Sequence, residues 1–173
     1  MSQRFRIAEG GRIDRETRLS FRYDGHTYDG FGGDTLASAL LANGVHLTGR
    51  SFKYHRPRGI LSSGSEEPNA LVTVGTGGRA TPNLRATQVE LYEGLVAQSQ
   101  NRWPTLQYDA LEIFSAVSRM LPAGFYYKTF MWPASLWTTY ESFIRRAAGM
   151  GKAPEEADPD RYDKTHRHCE VLV

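Results

Sequence analysis

Leu19-Ser20-Phe21-Arg22-Tyr23-Asp24-Gly25-His26-Thr27-Tyr28-Asp29 alternates apolar and polar residues up to an Asp-Gly pair and then returns. A period of two marks a half-buried strand, and a two-residue Asp-Gly link suits the twist of paired antiparallel strands. The stretch predicts a β-hairpin. Gly30-Phe31-Gly32-Gly33 then bends the chain toward Asp34, a good N-cap, and Thr35 to Asn43 reads as a helix. Leu36 and Leu40, with Ala37 and Leu41 on the adjoining face, form its core stripe, and Gly44 ends it at C′.

Downstream, residues 45–69 lose all periodicity and form a loop rich in Gly, Ser, Pro and basic residues, long enough to suggest a role of its own. Ala70 to Val74 reads as a strand, and Thr87 to Val96 as a further strand or pair. Hairpin, helix, long loop and strands in that order imply an α+β fold, a small mixed sheet packed on one helix. Residues 1–18 are polar and are expected to lie as an extended arm over a partner or a neighbouring domain.

Beyond Asp109 the character changes. Leu111, Phe114 and Val117 have helical spacing between Ala110 and Met120, with Pro122 as the stop. Phe125 to Trp132 is an aromatic run, and Ser135 is placed to cap a second helix reaching Ala148 before Gly149 and Gly151. Residues 152–168 form a charged linker into His168-Cys169-Glu170-Val171-Leu172-Val173, whose apolar end reads as the opening of a buried parallel strand. Such a strand feeds a glycine turn in dinucleotide-binding domains, so the chain is expected to be the front piece of a longer flavin- or nicotinamide-dependent protein. The expected division is an arm at 1–18, the sheet domain at 19–108, a helical extension at 109–151, and at 152–173 a linker with the first strand of a truncated nucleotide-binding domain.

Bulk properties narrow the function classes. The chain has 40% hydrophobic and 23% charged residues and a net charge of +2, globular values that argue for neither nucleic acid nor membrane binding. No apolar h-region follows the early arginines, and Glu9, Asp14 and Glu16 argue against a mitochondrial presequence, so a cytoplasmic location is expected. The single cysteine, Cys169, can form neither an internal disulfide nor a four-thiolate site.

Four groups of residues carry possible chemistry. Gly30 to Gly33 before a helix has the look of a phosphate cradle, but Asp34 would repel the anion, which favours a turn with a cap. The basic loop from Arg50 to Gly59 carries Arg50, Lys53, Arg56 and Arg58, with Phe52, Tyr54 and His55 among them. It could clamp a phosphate, carboxylate or cofactor through bidentate arginines, or dock onto another subunit, with Glu66 and Glu67 as nearby carboxylates to pair with it. His166, His168 and Cys169 are metal-ligand types, yet two histidines on one strand face do not complete a zinc site, and Cys169 is expected to be a small buried hydrophobe. The aromatic run suits either a flavin box or a core or interface. No nucleophile with a base, and no carboxylate pair, is arranged for catalysis.

Several strings together resemble the N-terminal region of the alpha subunits of heterotetrameric sarcosine oxidases. They are Gly33 to Gly44, Arg50 to Gly59, Gly64 to Ala70, Pro122 to Pro133, and Tyr162 to Cys169. The resemblance implies a β-grasp domain like that of plant-type ferredoxins, followed by dinucleotide-binding and folate-binding domains. In cluster-bearing relatives the loop after the helix carries the cysteines of a two-iron, two-sulfur cluster, whereas Arg50 to Asn69 here has none. The resemblance implies a complex that demethylates sarcosine oxidatively to glycine, hydrogen peroxide and a one-carbon unit passed to tetrahydrofolate. That complex would use FAD, FMN and NAD, with no cofactor in this chain. Its partners would be beta, gamma and delta subunits and the remainder of the alpha subunit. The alternative is a stand-alone β-grasp protein that binds an anion or cofactor through loop 50–58.

Overall fold

The computed structural model describes residues 3–116, Gly124 and residues 132–171. The hairpin is present as β1 (Asp14–Tyr23) and β2 (His26–Gly32), with Phe21 opposite Tyr28 and Tyr23 opposite His26. Asp24 and Gly25 between them both have positive φ, 47° and 83°, which is the type I′ geometry that an Asp-Gly pair adopts readily. The Asp24 carboxylate accepts from the backbone N–H and the hydroxyl of Ser99, pinning this turn to the sheet's central return strand.

Helix α1 (Leu36–Ala42) follows, but its N-cap is Thr35 rather than Asp34. The Thr35 hydroxyl accepts from the Ser38 N–H at 3.2 Å and the Ser38 hydroxyl accepts from the Thr35 N–H at 3.0 Å, a reciprocal capping box. Two further helix N–H groups are taken by the chain's own later segment: Leu36 donates to the Val89 carbonyl at 2.8 Å and Ala37 to the Ala86 carbonyl at 3.0 Å. At the other end Gly44 has φ 81°, its N–H bonds the Leu41 carbonyl, and the Val45 N–H bonds the Leu40 carbonyl. Those two bonds make a Schellman stop, as the glycine predicts.

The sheet is completed by β5 (Leu71–Val74), β6 (Thr81–Arg85) and β7 (Val96–Ser99), in the order β2-β1-β7-β5-β6. β7 runs parallel to β1, and every other pair is antiparallel. This is the expected mixed sheet packed on a helix. Phe21, Leu36, Leu40, Val72 and Leu95, from both layers, are each at most 1% exposed and form one core with Tyr23, Leu91 and Ala97. The short pieces β3 (Gly49–Arg50) and β4 (Pro57–Arg58) pair separately as a second hairpin.

Several expectations are corrected. The arm enters β1 at Asp14, and its earlier part lies on its own domain: Phe5 meets the His46 ring edge-on at 4.8 Å and Arg6 pairs with Asp34. Residues 87–95 are not a strand: the Val89 carbonyl accepts from Leu36 at the start of α1, the Leu91 N–H donates to the Asp34 carbonyl, and Glu90 makes an isolated bridge to Thr35. β6 occupies an edge, the one place where Pro82 costs the ladder nothing. The helix expected from Ala110 starts as a 3₁₀ turn at Ala110–Glu112 and continues as α2 (Ile113–Ala116), and its remainder lies outside the described residues. So does the aromatic run apart from Trp132, which is exposed.

Helix α3 (Trp137–Ala147) is preceded by a 3₁₀ turn at Ala134–Leu136, so Leu136 rather than Ser135 stands at its cap, with no side-chain cap bond. Residues 152–171 carry neither helix nor strand. The described part of the terminal run, through Val171, has no strand beside it to supply a ladder, and Cys169 is exposed rather than buried.

Candidate functional site

The four basic residues singled out in the loop after α1 are gathered on the β3–β4 hairpin, but they face different ways. Arg50 is turned inward and only 6% exposed. Its Nε donates to the Leu106 carbonyl at 2.9 Å, and its Nη1 donates to the His55 carbonyl at 3.0 Å and to Glu112 Oε2 at 3.1 Å. Its Nη2 also reaches the Leu106 carbonyl. The donors that would have gripped an external anion are spent on the protein itself.

His55 lies beside it, 3% exposed, with Nδ1 hydrogen-bonded to Asp109 Oδ2 at 2.9 Å. The other oxygen of Asp109 accepts from the Leu111 N–H and starts the 3₁₀ turn. Arg50 and His55 therefore stitch the hairpin to residues 106–112 through buried polar bonds, which rigidify when every member is satisfied. The joint also includes Asn101, whose Nδ2 donates to the Arg50 carbonyl.

The rest of the hairpin faces outward. Phe52, Arg56, Pro57 and Arg58 are exposed. Tyr54 lies between two cations, with Lys53 Nζ 4.9 Å and Arg56 Cζ 4.8 Å from its ring centroid. A cavity of about 280 Å³ opens next to it, lined in part by Ser51, Phe52, Arg58, Asn69 and Asn101. The surface is cationic and aromatic on a braced support, and among the described residues no nucleophile, base or carboxylate pair is aimed into it.

Glu66 and Glu67 do not pair with the hairpin. Glu66 is exposed, whereas Glu67 is 1% exposed and accepts backbone N–H bonds from Leu61, Ser62 and Asn69. Burial pushes the Glu67 carboxyl up, but the N–H bonds from Ser62, Asn69, Leu61 and Ala70 together outweigh it and hold the group below its ordinary value. The glycine bend before α1 is likewise closed from inside. Asp34 accepts both guanidinium ends of Arg6, at 3.0 and 2.6 Å, with the Phe31 N–H at 3.0 Å and the Ser38 hydroxyl at 2.7 Å. The donors that a phosphate would use there are taken by the Asp34 carboxylate. His166 and His168 are exposed, and no three His, Cys, Asp or Glu side chains converge as metal ligands among the described residues. No described helix is long and apolar enough to cross a membrane.

Sequence reasoning singled out the basic loop but missed that it pairs as a hairpin, and it missed Asp109, the burial of Glu67 and the inward turn of Arg50. A glutamate inside Ser65-Glu66-Glu67-Pro68 reads as solvated charge, and nothing local marks it as buried.

Residues 16–102 match a family described as a 2Fe-2S iron-sulfur cluster binding domain. The chain is also similar to sarcosine oxidase subunit alpha of Rhizobium meliloti (strain 1021), with 64% identity over 170 residues, 98% of this chain and 17% of that protein. It is 50% identical over 91 residues to sarcosine oxidase subunit alpha of Corynebacterium sp. (strain U-96), covering 51% of this chain and 9% of that one. The chain thus spans less than a fifth of the length of these curated relatives. Among solved structures it shows a looser likeness to L-proline dehydrogenase from P. horikoshii, with a TM-score of 0.41 and 23% identity over 52% of this chain and 17% of that one.

The residues do not fit the cluster that the family description names. A two-iron, two-sulfur centre is held by cysteine thiolates, with histidine replacing at most two of them. Residues 16–102 contain no cysteine, and Cys169 lies outside them.

Proposed function

The chain belongs to the 2Fe-2S iron-sulfur cluster binding domain family, and from that premise we propose that it is a cluster-free assembly module of a sarcosine oxidase alpha subunit. The carrying observation is the β3–β4 hairpin, whose inward cation is locked to residues 106–112 while Phe52, Arg56 and Arg58 project outward. Identity of 64% along nearly the whole chain supports the assignment to that subunit. On this reading residues 19–108 are a β-grasp domain that shapes and braces, residues 109–151 are a helical extension, and residues 152–173 lead toward a nucleotide-binding domain.

The full complex would oxidise sarcosine with dioxygen and tetrahydrofolate, giving glycine, hydrogen peroxide and methylenetetrahydrofolate, with FAD, FMN and NAD bound elsewhere. It would work in the cytoplasm with beta, gamma and delta subunits. This chain alone would have no oxidase activity, because among the described residues no group is arranged to take a hydride or a proton from an amine. Lacking thiolates in the matched region, it would relay no electrons.

The basic hairpin would meet an acidic, partly apolar patch on another subunit. Desolvated arginines beside an aromatic are the usual composition of interface anchors. The double variant Arg56→Ala/Arg58→Ala tests this by co-purification with the beta subunit. Association should weaken about tenfold or more, equivalent to roughly 1.4 kcal/mol, with the melting temperature nearly unchanged. Undiminished association rules the docking role out.

A further inference from the structure

The loop from Leu61 to Ala70 is built around a negative charge. Glu67 Oε2 accepts the Leu61 N–H at 2.7 Å and the Ser62 N–H at 2.6 Å, and Oε1 accepts the Asn69 N–H at 2.8 Å. Thr87 comes in from the far side, 7% exposed, and donates its hydroxyl to the Gly64 carbonyl at 2.8 Å. Ala70, fully buried, is tied to the same segment by the Ala86 N–H at 2.9 Å. The Ser62 hydroxyl oxygen is buried there without a hydrogen-bond partner.

Converging backbone N–H groups of this kind form anion nests, and iron–sulfur centres are among the anions that nests hold. The plant-type ligand spacing is three cysteines separated by four and then two residues, with a fourth farther on. Ser62, Glu67 and Ala70 have that spacing, and Thr87 is the downstream residue folded against them. From this we infer that Leu61–Ala70 with Thr87 is the family's cluster socket, sealed by the chain's own Glu67 carboxylate.

None of the four positions carries a thiolate. Ser62 and Thr87 carry hydroxyls, Ala70 carries no donor, and Glu67 turns a carboxylate onto the amides. The carboxylate supplies the negative charge that the nest would otherwise leave unmatched, so the loop keeps its shape without metal. The socket is therefore distinct from the basic hairpin, which lies earlier in the chain. Failure of the test below leaves docking by Arg56 and Arg58 untouched, since that depends on a different loop.

The test places Ser62→Cys, Glu67→Cys, Ala70→Cys and Thr87→Cys together in the intact protein and supplies ferric iron and sulfide without oxygen. About two irons and two acid-labile sulfides per chain should be bound, with visible charge-transfer absorbance. A control with cysteines one residue along, at Ser63, Glu66, Asn69 and Gln88, should hold less than about a tenth of that iron. A variant that is unfolded before loading and folds on it supports the socket. One that stays empty, folded or not, overturns it, as does equal loading of the control. Independently, Glu67→Ala should lower the melting temperature, and acetate should recover at least half of the loss when chloride at equal ionic strength does not. No recovery overturns the carboxylate's place in the nest.

Discussion

Arg50→Ala should destabilise the domain far more than removal of any exposed cation on the same hairpin. The Arg50 guanidinium bonds the backbone carbonyls of Leu106 and His55, with a longer bond to that of Gln107, from a side chain only 3% exposed. Charge-assisted bonds of this kind contribute about 1.5–3 kcal/mol each, and truncation leaves both carbonyls in a buried site. The ion pair with Glu112 adds at most about 1 kcal/mol, because that carboxylate is 53% exposed. A net loss of about 3–5 kcal/mol follows once some water entry is allowed for. Urea titration measures it, and hydrogen exchange should speed up first in residues 106–112. Arg56→Ala, which gives up only a cation–π contact to Tyr54, should cost about 1 kcal/mol or less. If Arg50→Ala costs no more than Arg56→Ala, the hairpin is not braced from inside and the rigid docking surface is wrong.

Leu40→Ala, at a fully buried position on α1, should cost about 2–5 kcal/mol on denaturant titration; a negligible loss would mean the helix does not pack on the sheet. Glu67 gives an acid signature. Its folded carboxyl lies below the ordinary value of 4.5, so its stabilisation is complete above that pH and drains away as pH falls through the lower, folded value. Wild type should therefore lose more stability than Glu67→Gln between about pH 6 and pH 3, and parallel pH profiles would show that the charge does not matter. Arg6→Ala leaves the buried Asp34 carboxylate without its cation and should cost about 3–5 kcal/mol in thermal or urea unfolding. A loss under about 1 kcal/mol would mean the Phe31 and Ser38 donors are sufficient for Asp34.

What could be read from the chain follows what is local. Strict alternation around Asp24-Gly25 specifies the hairpin because backbone twist and side-chain period agree there. Gly44 marks the helix end because few other residues adopt its φ without strain. The failures share one cause, partners distant in sequence. Thr87 to Val96 alternates like a strand, but the carbonyls of Val89 and of the preceding Ala86 answer unpaired N–H groups at Leu36 and Ala37, some fifty residues earlier. β6 is hidden by Pro82 and by Asn83, at φ 63°, which an edge strand tolerates and a central one does not. Arg50 and Glu67 look like surface charges because composition cannot tell that a backbone carbonyl from residue 106, or a ring of loop amides, will enclose them. Cys169 reads as a core residue only if a strand forms beside it, and its described surroundings supply none.

The most direct measurement is the iron and acid-labile sulfide content of the native protein, purified without oxygen in its complex. Neither should rise above background, because residues 16–102 offer no thiolate and Glu67 fills the nest. About two irons and two sulfides per chain, assigned to this domain, would contradict it.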